Sequence, residues 1–424
     1  MENEFIIKGN FYYCDEKREL VEKTGSYCIV RDGISEGLFD RIPKEYAGLP
    51  VRDYSAFLII PGLIDLHTHA PQYTFRGLGM DMELLDWLNT YTFPEECKYS
   101  SLKYADSAYD IFVRALKNSY TTRAVIFGTI HAPATLLLME KLERTGLITQ
   151  VGKVNMDRNA PAYYVETTEK SICETEAFLK SAQKYLRTKP ILTPRFIPSC
   201  SDKLLAGLGE IQQRTRLCVQ SHLSENRSEI EWVRELCPDA AFYGDAYDRY
   251  GLFGNNCRTI MAHCVSSGDE ETERMAHNGV FVAHCPASNM NLSSGAAPVR
   301  RYLERGIRVG LGTDVAAGSS LSVASEMVSA VQASKMRWRY VSQDKPLSLE
   351  DVFYMATRGG GEFFGQVGSF EKGFEFDALV IDDSGAESAL KFNDRDRFLR
   401  SVYLEKECRL EAKYVRGSEI RLGA

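Results

Sequence analysis

A closed (β/α)₈ barrel of the TIM type, joined to a small β-sandwich domain built from both ends of the chain, is the α/β fold that these 424 residues predict. Three observations carry the prediction. Short β-rich runs alternate with amphipathic stretches from residue 56 to about 315, the pattern of a parallel sheet. The runs number eight, which suits a closed barrel. The two ends of the chain consist instead of short alternating pieces broken by Gly, Asp and Pro. The domain boundaries follow: 1–57 and 369–424 for the two parts of the small β domain, and 58–368 for the barrel.

In chain order, "EFIIKGNFYYC" and "SYCIVRDG" supply strands of the small domain. The barrel strands are then "FLIIPGLIDLH", "TTRAVIFGT", "LITQVGKVNM", "PILTPRF", "RLCVQSH", "RTIMAH", "VFVAH" and "IRVGLGTD". Helices are expected at "ATLLLMEKLERTG", "EKSICETEAFLKSAQKYL" and "SEIEWVREL", where apolar residues recur at helical spacing. An open doubly wound sheet is the alternative, but no GxGxxG follows the first strand. "SFEKGFEFDALVIDD" and "CRLEAKYVRGSEIRL" return to the style of the N-terminus and complete the small domain.

Composition narrows the functions open to this fold. Net charge is −7 with no Lys/Arg-rich block, which argues against nucleic acid as a partner. The longest apolar run is far shorter than a membrane span, and the first ten residues lack a secretory pattern. Eleven scattered cysteines without a CxxC pair argue against a disulfide framework and fit a reducing, cytoplasmic compartment.

Chemistry in a parallel barrel gathers where strands end. Strand one ends in His67 and His69, strand five in His222, strand six in His263, strand seven in His284 and strand eight in Asp314. Five of the seven histidines of the chain therefore sit at strand ends. Alternate residues of a strand share a face, so His67 and His69 point into one space. Three imidazoles and a carboxylate make a shell for one zinc ion, or a ferrous ion, with a position left for water; His67, His69, His222 and Asp314 are the expected ligands. Glu225, three residues after His222, can reach the same open position as general acid and base. Lys189 lies only before strand four, which has no lysine at its end, and this argues against a lysine-bridged two-metal site.

With those residues in place, the sequence resembles the metal-dependent amidohydrolase superfamily and, more closely, the guanine deaminase family. The resemblance rests on "HTHAPQYTFRGLGMDMELLDWLNTYTFPEE", "TPRF", "SHLSENRSE", "AHCPASNMNLSSG" and "GLGTDVAAG", and it extends over nearly the whole chain. It implies the same four ligands, with Glu225 as proton shuttle, Asp314 as a catalytic base and His263 as the residue steadying the reactive water. It implies a purine pocket formed by Gln72, Arg195 and Phe196 together with His222, Glu225 and Asp314. Guanine as the small-molecule ligand and a homodimer in the cytoplasm are further implications. Ala317 stands where the family is expected to have glycine, which puts the loop backbone after strand eight in doubt. The rival readings are another one-metal amidohydrolase acting on a purine, pyrimidine or triazine ring, and an inactive barrel kept as a binding scaffold.

Overall fold

In the computed structural model, which describes residues 4–423, the chain begins with three antiparallel strands, β1 (Glu4–Cys14), β2 (Leu20–Arg31) and β3 (Ile34–Phe39). Strand β4 (Val51–Pro61) returns parallel to β1 and passes through Gly62 into β5 (Leu63–His69). Gly62 is required there by close approach, since a Cβ would lie 2.1 Å from the Thr122 hydroxyl. The sheet domain and the first barrel strand are thus one nearly unbroken extended segment. The boundary expected at 57/58 falls inside β4, whose outer half is exposed and whose last four residues are buried.

Eight parallel segments then form the barrel. The first half runs β5, β6 (Thr121–Phe127), β7 (Ile148–Gly152) and β9 (Thr188–Pro190), with the short pair β8 (Val154–Asn155) and β10 (Thr193–Pro194) extending strands three and four. The second half runs β11 (Val219–Leu223), β12 (Thr259–His263), β13 (Phe281–His284) and β14 (Arg308–Leu311). A bridge from Leu192 to Val219 joins the halves on one side. On the other, the Asp314 N–H donates to the His67 carbonyl (2.8 Å) and the His69 N–H to the Val315 carbonyl (3.3 Å). These last two bonds close the barrel and place strand one beside strand eight at the site. Every residue of β5 and β6 is buried, as strands covered on both faces must be.

The covering helices are amphipathic. Helix Leu102–Asn118 starts at Ser101, whose hydroxyl accepts from the Tyr104 N–H, and turns Ala105, Ala108, Tyr109, Phe112, Val113 and Leu116 inward. The three helices expected from periodicity form at Ala132–Glu143, Thr168–Ala182 and Arg227–Leu236.

The C-terminal segment supplies β15 (Ala378–Asp382), β16 (Arg409–Val415) and β17 (Ser418–Glu419). Strand β15 pairs with β4, so both ends share one seven-stranded sheet ordered β17-β16-β15-β4-β1-β2-β3. The small β domain expected from both ends of the chain is one continuous sheet, because β4 bridges the N-terminal and C-terminal strands. A helix the sequence reading did not expect, Asp394–Tyr403, lies between β15 and β16 and stacks Phe398 on Tyr12 at 5.0 Å. The sheet is fastened to the barrel by Arg123 of β6, whose fork donates to both oxygens of Asp377 (2.6 and 3.1 Å) and to Glu375 (2.7 Å). Arg123 and Asp377 are both buried.

Candidate active site

Strand β5 brings the His67 and His69 Nε2 atoms to 3.2 Å, as the alternation of a strand requires. His222, near the end of β11, sets its Nε2 3.3 Å from that of His69. Its Nδ1 lies 2.6 Å from the Arg195 carbonyl, to which only a protonated Nδ1 can donate, leaving the Nε2 lone pair facing the cluster. Asp314, three residues past β14, places Oδ1 3.1 Å from His67 Nε2 and 3.3 Å from His69 Nε2. Four donor atoms about 2.0–2.1 Å from one ion at tetrahedral angles would be roughly 3.3–3.4 Å apart. The observed separations fit a single small divalent ion. The protonation states fit too: burial keeps His67, His69 and His222 below the usual imidazole range, hence neutral. Burial alone would raise the Asp314 carboxyl, but the His67 and His69 imidazoles hold it well below the usual carboxylate range.

Around this cluster stand further titratable groups. Glu225 lies in the loop before helix Arg227–Leu236, its Oε1 accepting from the Ser294 hydroxyl at 3.1 Å. Burial, and then the charge of Asp314, pushes its carboxyl up to about 8. His263 Nδ1 sits 2.9 Å from the Asn289 side-chain oxygen, which turns His263 Nε2 toward Glu225 (3.4 Å) and Asp314 (3.8 Å). His67, His263 and Asp314 form a second possible ligand trio, so His263 stands within reach of the ion's open side. His263 and Asp314 both adopt left-handed backbone angles, φ 72° and 42°. Each costs about 1–3 kcal/mol at a residue other than glycine and is characteristic of functional sites.

Above the cluster opens a pocket of about 420 Å³ of empty space, open mouth included. Eight of the nine predicted site residues line it, and His67 lies beneath as a fully buried ligand candidate. Trp87, Leu88, Phe196 and Leu292 form apolar walls. Gln72 and Arg195 provide the polar side, and Ala317 lines the pocket as well. Ala317 therefore borders the cavity itself, where the sequence reading had put only loop geometry in doubt. His284 ends strand seven but is buried away from the pocket.

Several residues that support this site were not foreseen. Asn289 and Ser294 orient His263 and Glu225. Glu229 accepts from the Glu225 N–H at 3.0 Å and from the Tyr243 hydroxyl at 2.6 Å, fixing the loop that presents Glu225. Asp65 accepts from the Thr313 hydroxyl (2.6 Å), the Thr313 N–H (3.0 Å) and the His67 N–H (3.2 Å), tying the two ligand-bearing strands together. Glu96 bonds both Arg195 and Gln72. Of these, Glu96, Glu229, Asn289 and Ser294 lie within quoted motifs, but only the fold brings them to the site.

Comparison with known proteins agrees with this geometry. Residues 58–405 match the amidohydrolase family. The guanine deaminase of Dictyostelium discoideum is 39% identical over 380 residues, covering 88% of this chain and 84% of the relative. That of Rattus norvegicus is 39% identical over 398 residues, covering 90% and 87%. Among solved structures, the guanine deaminase from C. acetobutylicum, with guanine bound in its active site, superposes with a TM-score of 0.95 at 43% identity. That match covers 99% of this chain and 100% of the other. The chain belongs to the amidohydrolase family and, within it, to the guanine deaminases.

Proposed function

We infer that the protein hydrolyses guanine to xanthine and ammonia, using one zinc ion per chain held by His67, His69, His222 and Asp314. The observation that carries this reading is a single buried pocket joining that donor set to a proton carrier and to the donor pair Gln72 and Arg195. A divalent ion there supplies a water acidic enough to react at neutral pH. The side chains do the rest. Arg195 donates to the oxygen-bearing edge of the base, the edge on which arginine also reads guanine in DNA. Phe196 and the apolar walls hold the ring and exclude bulk water. Glu225, whose protonated form burial favours, gives its proton to ring N3 and makes C2 more electrophilic. The attacking water gives up two protons. One passes to Glu225, replacing the proton sent to N3, and Glu225 delivers it to the departing amine. Asp314 takes the other as C2 gains its carbonyl and returns it to Glu225. His263 steadies the water from the open side.

Ammonia release from guanine, adenine, cytosine and their nucleosides, with metal analysis of the same preparation, tests the reading. Guanine should be used efficiently, with one zinc per chain. A donor-only arginine meets an acceptor on guanine and an amine on adenine, so adenine should be disfavoured by roughly 10⁴–10⁵. Comparable kcat/KM for the two bases would reduce the reading to a metal-dependent aminohydrolase of another ring. We also place the protein in the cytoplasm as a homodimer. Eleven unpaired cysteines support a reducing compartment, no helix among the described residues is long and apolar enough to cross a membrane, and the dimer rests on the family resemblance. Sedimentation analysis checks the dimer.

A further inference from the structure

Behind the polar side of the pocket lies an acid that takes no part in the proton transfers. Glu96 sits on helix Phe93–Cys97, fully buried and outside the pocket lining. Each of its oxygens accepts two hydrogen bonds. Oε1 takes the Gln72 side-chain amide at 2.9 Å and Arg195 Nη2 at 3.2 Å. Oε2 takes Arg195 Nη1 at 2.6 Å and the Tyr164 hydroxyl at 2.7 Å. The same helix places the Phe93 ring 5.2 Å from the guanidinium. Gln72 is fixed at its other end as well, because the Ala316 N–H donates to Gln72 Oε1 at 3.3 Å. That bond forbids an amide flip and leaves the second Nε2 hydrogen of Gln72 free of Glu96.

We propose that Glu96 is the positioning residue that sets base specificity, aiming Arg195 and Gln72 as one unit at the oxygen-bearing edge of the base. This rests on the guanine reading for the identity of that edge. Any buried carboxylate needs its lone pairs satisfied, so what marks Glu96 is which groups satisfy them. Here the two residues that read the ligand share the two oxygens of one carboxylate, so neither can turn without disturbing the other. A carboxylate is also the only side chain that fits. An amide at position 96 offers one acceptor oxygen, and its NH₂ would face either Gln72 and Arg195 Nη2 or Arg195 Nη1, donor against donor, with only the Tyr164 hydroxyl able to turn and accept. The charge of Arg195 is meanwhile balanced behind the pocket, so the site presents directed N–H groups to a neutral base.

The test uses two unreactive ligands on the zinc-loaded protein: hypoxanthine, which carries the C6 oxygen and the N1–H beside it, and purine, which lacks both. Titration calorimetry of the wild type should show hypoxanthine bound about 10–100-fold more tightly, the worth of a good bidentate contact. In Glu96→Gln the preference should shrink to threefold or less, with purine affinity within threefold and zinc content unchanged. A crystal structure of the variant should show both side chains displaced. If Glu96→Gln does not fold, Glu96→Asp carries the test: it keeps the charge but withdraws both oxygens, and the preference should fall at least fivefold. Either variant keeping the wild-type preference, a wild type with no preference, or Arg195 and Gln72 unmoved in the variant structure would overturn the proposal. Guanine turnover by the wild type is scored separately, so loss of the guanine reading and loss of the Glu96 role give different results.

Discussion

Replacing Glu225 by glutamine should move activity and stability in opposite directions. The amide is nearly isosteric and can still accept from the Ser294 hydroxyl, but it cannot carry a proton. General acid–base catalysis contributes about 10²–10⁴-fold, and a residue making two transfers belongs near the top, so kcat should fall by about 10⁴ with zinc retained. Stability follows from the same burial. The carboxyl titrates near 8 in the folded chain and near about 4.3 in an unfolded one. Between those values the unfolded chain has released a proton that the folded chain still holds, so this group's contribution is intact below about 4.3 and is lost as pH rises toward 8. At pH 7.5 the loss is about 4 kcal/mol, and at pH 5 only about 1 kcal/mol. Glutamine does not titrate, and after the cost of burying its amide the metal-stripped variant should gain about 2–4 kcal/mol at pH 7.5. With unfolding entropy of about 2.1 cal/mol/K per residue, that is a Tm gain of about 2–5 °C. The assay is scanning calorimetry of chelator-treated wild type and variant at both pH values, beside guanine turnover of the zinc-loaded forms. Turnover within threefold of wild type would refute the shuttle role. A metal-free variant melting at or below wild type at pH 7.5 would refute the electrostatic reasoning.

His67→Ala should lose zinc and activity together, read by elemental analysis, because it removes one of the four proposed ligands; two tightly bound ions per wild-type chain would overturn the one-metal site. Arg195→Lys keeps a charge beside Glu96 but loses the fork, so guanine kcat/KM should fall about 10–100-fold with zinc unchanged. Arg195→Ala strands Glu96 without its partner and should cost about 3–5 kcal/mol in urea unfolding as well as activity. Arg123→Leu leaves Asp377 buried and unpaired, at a similar cost of about 3–5 kcal/mol, while zinc content stays at one per chain.

The residues legible in the sequence were those whose position follows from a local rule. A period of two places His67 and His69 together, and a strand end followed by a loop places Glu225 near His222. Glu96 obeys no such rule. It lies 24 residues from Gln72 and 99 from Arg195, on a short helix that only the closed barrel brings behind the pocket. Asn289 and Asp65 likewise act through side chains whose partners are distant in the chain. His284 misled in the other direction: it ends a strand like its neighbours, yet it faces the core and not the pocket. The helix Asp394–Tyr403 was hidden by its composition, since "DRDRFLRSVY" commits few apolar residues to a face.

The single sheet shared by both termini sets a timetable for synthesis. Strand β4 leaves the ribosome early, but its partner β15 follows only after the whole barrel, the register being Ile60 against Leu379. At roughly 5–20 residues per second, that interval is about 15–60 s. Throughout it the buried half of β4 presents an open hydrogen-bonding edge, the kind of surface that recruits other chains. Nascent chains stalled after residue 370 should therefore be cleaved by added protease within 51–61, and chains stalled after the C-terminal strands have emerged should resist. Equal resistance in the two would mean that β4 finds a temporary partner while the barrel is being made.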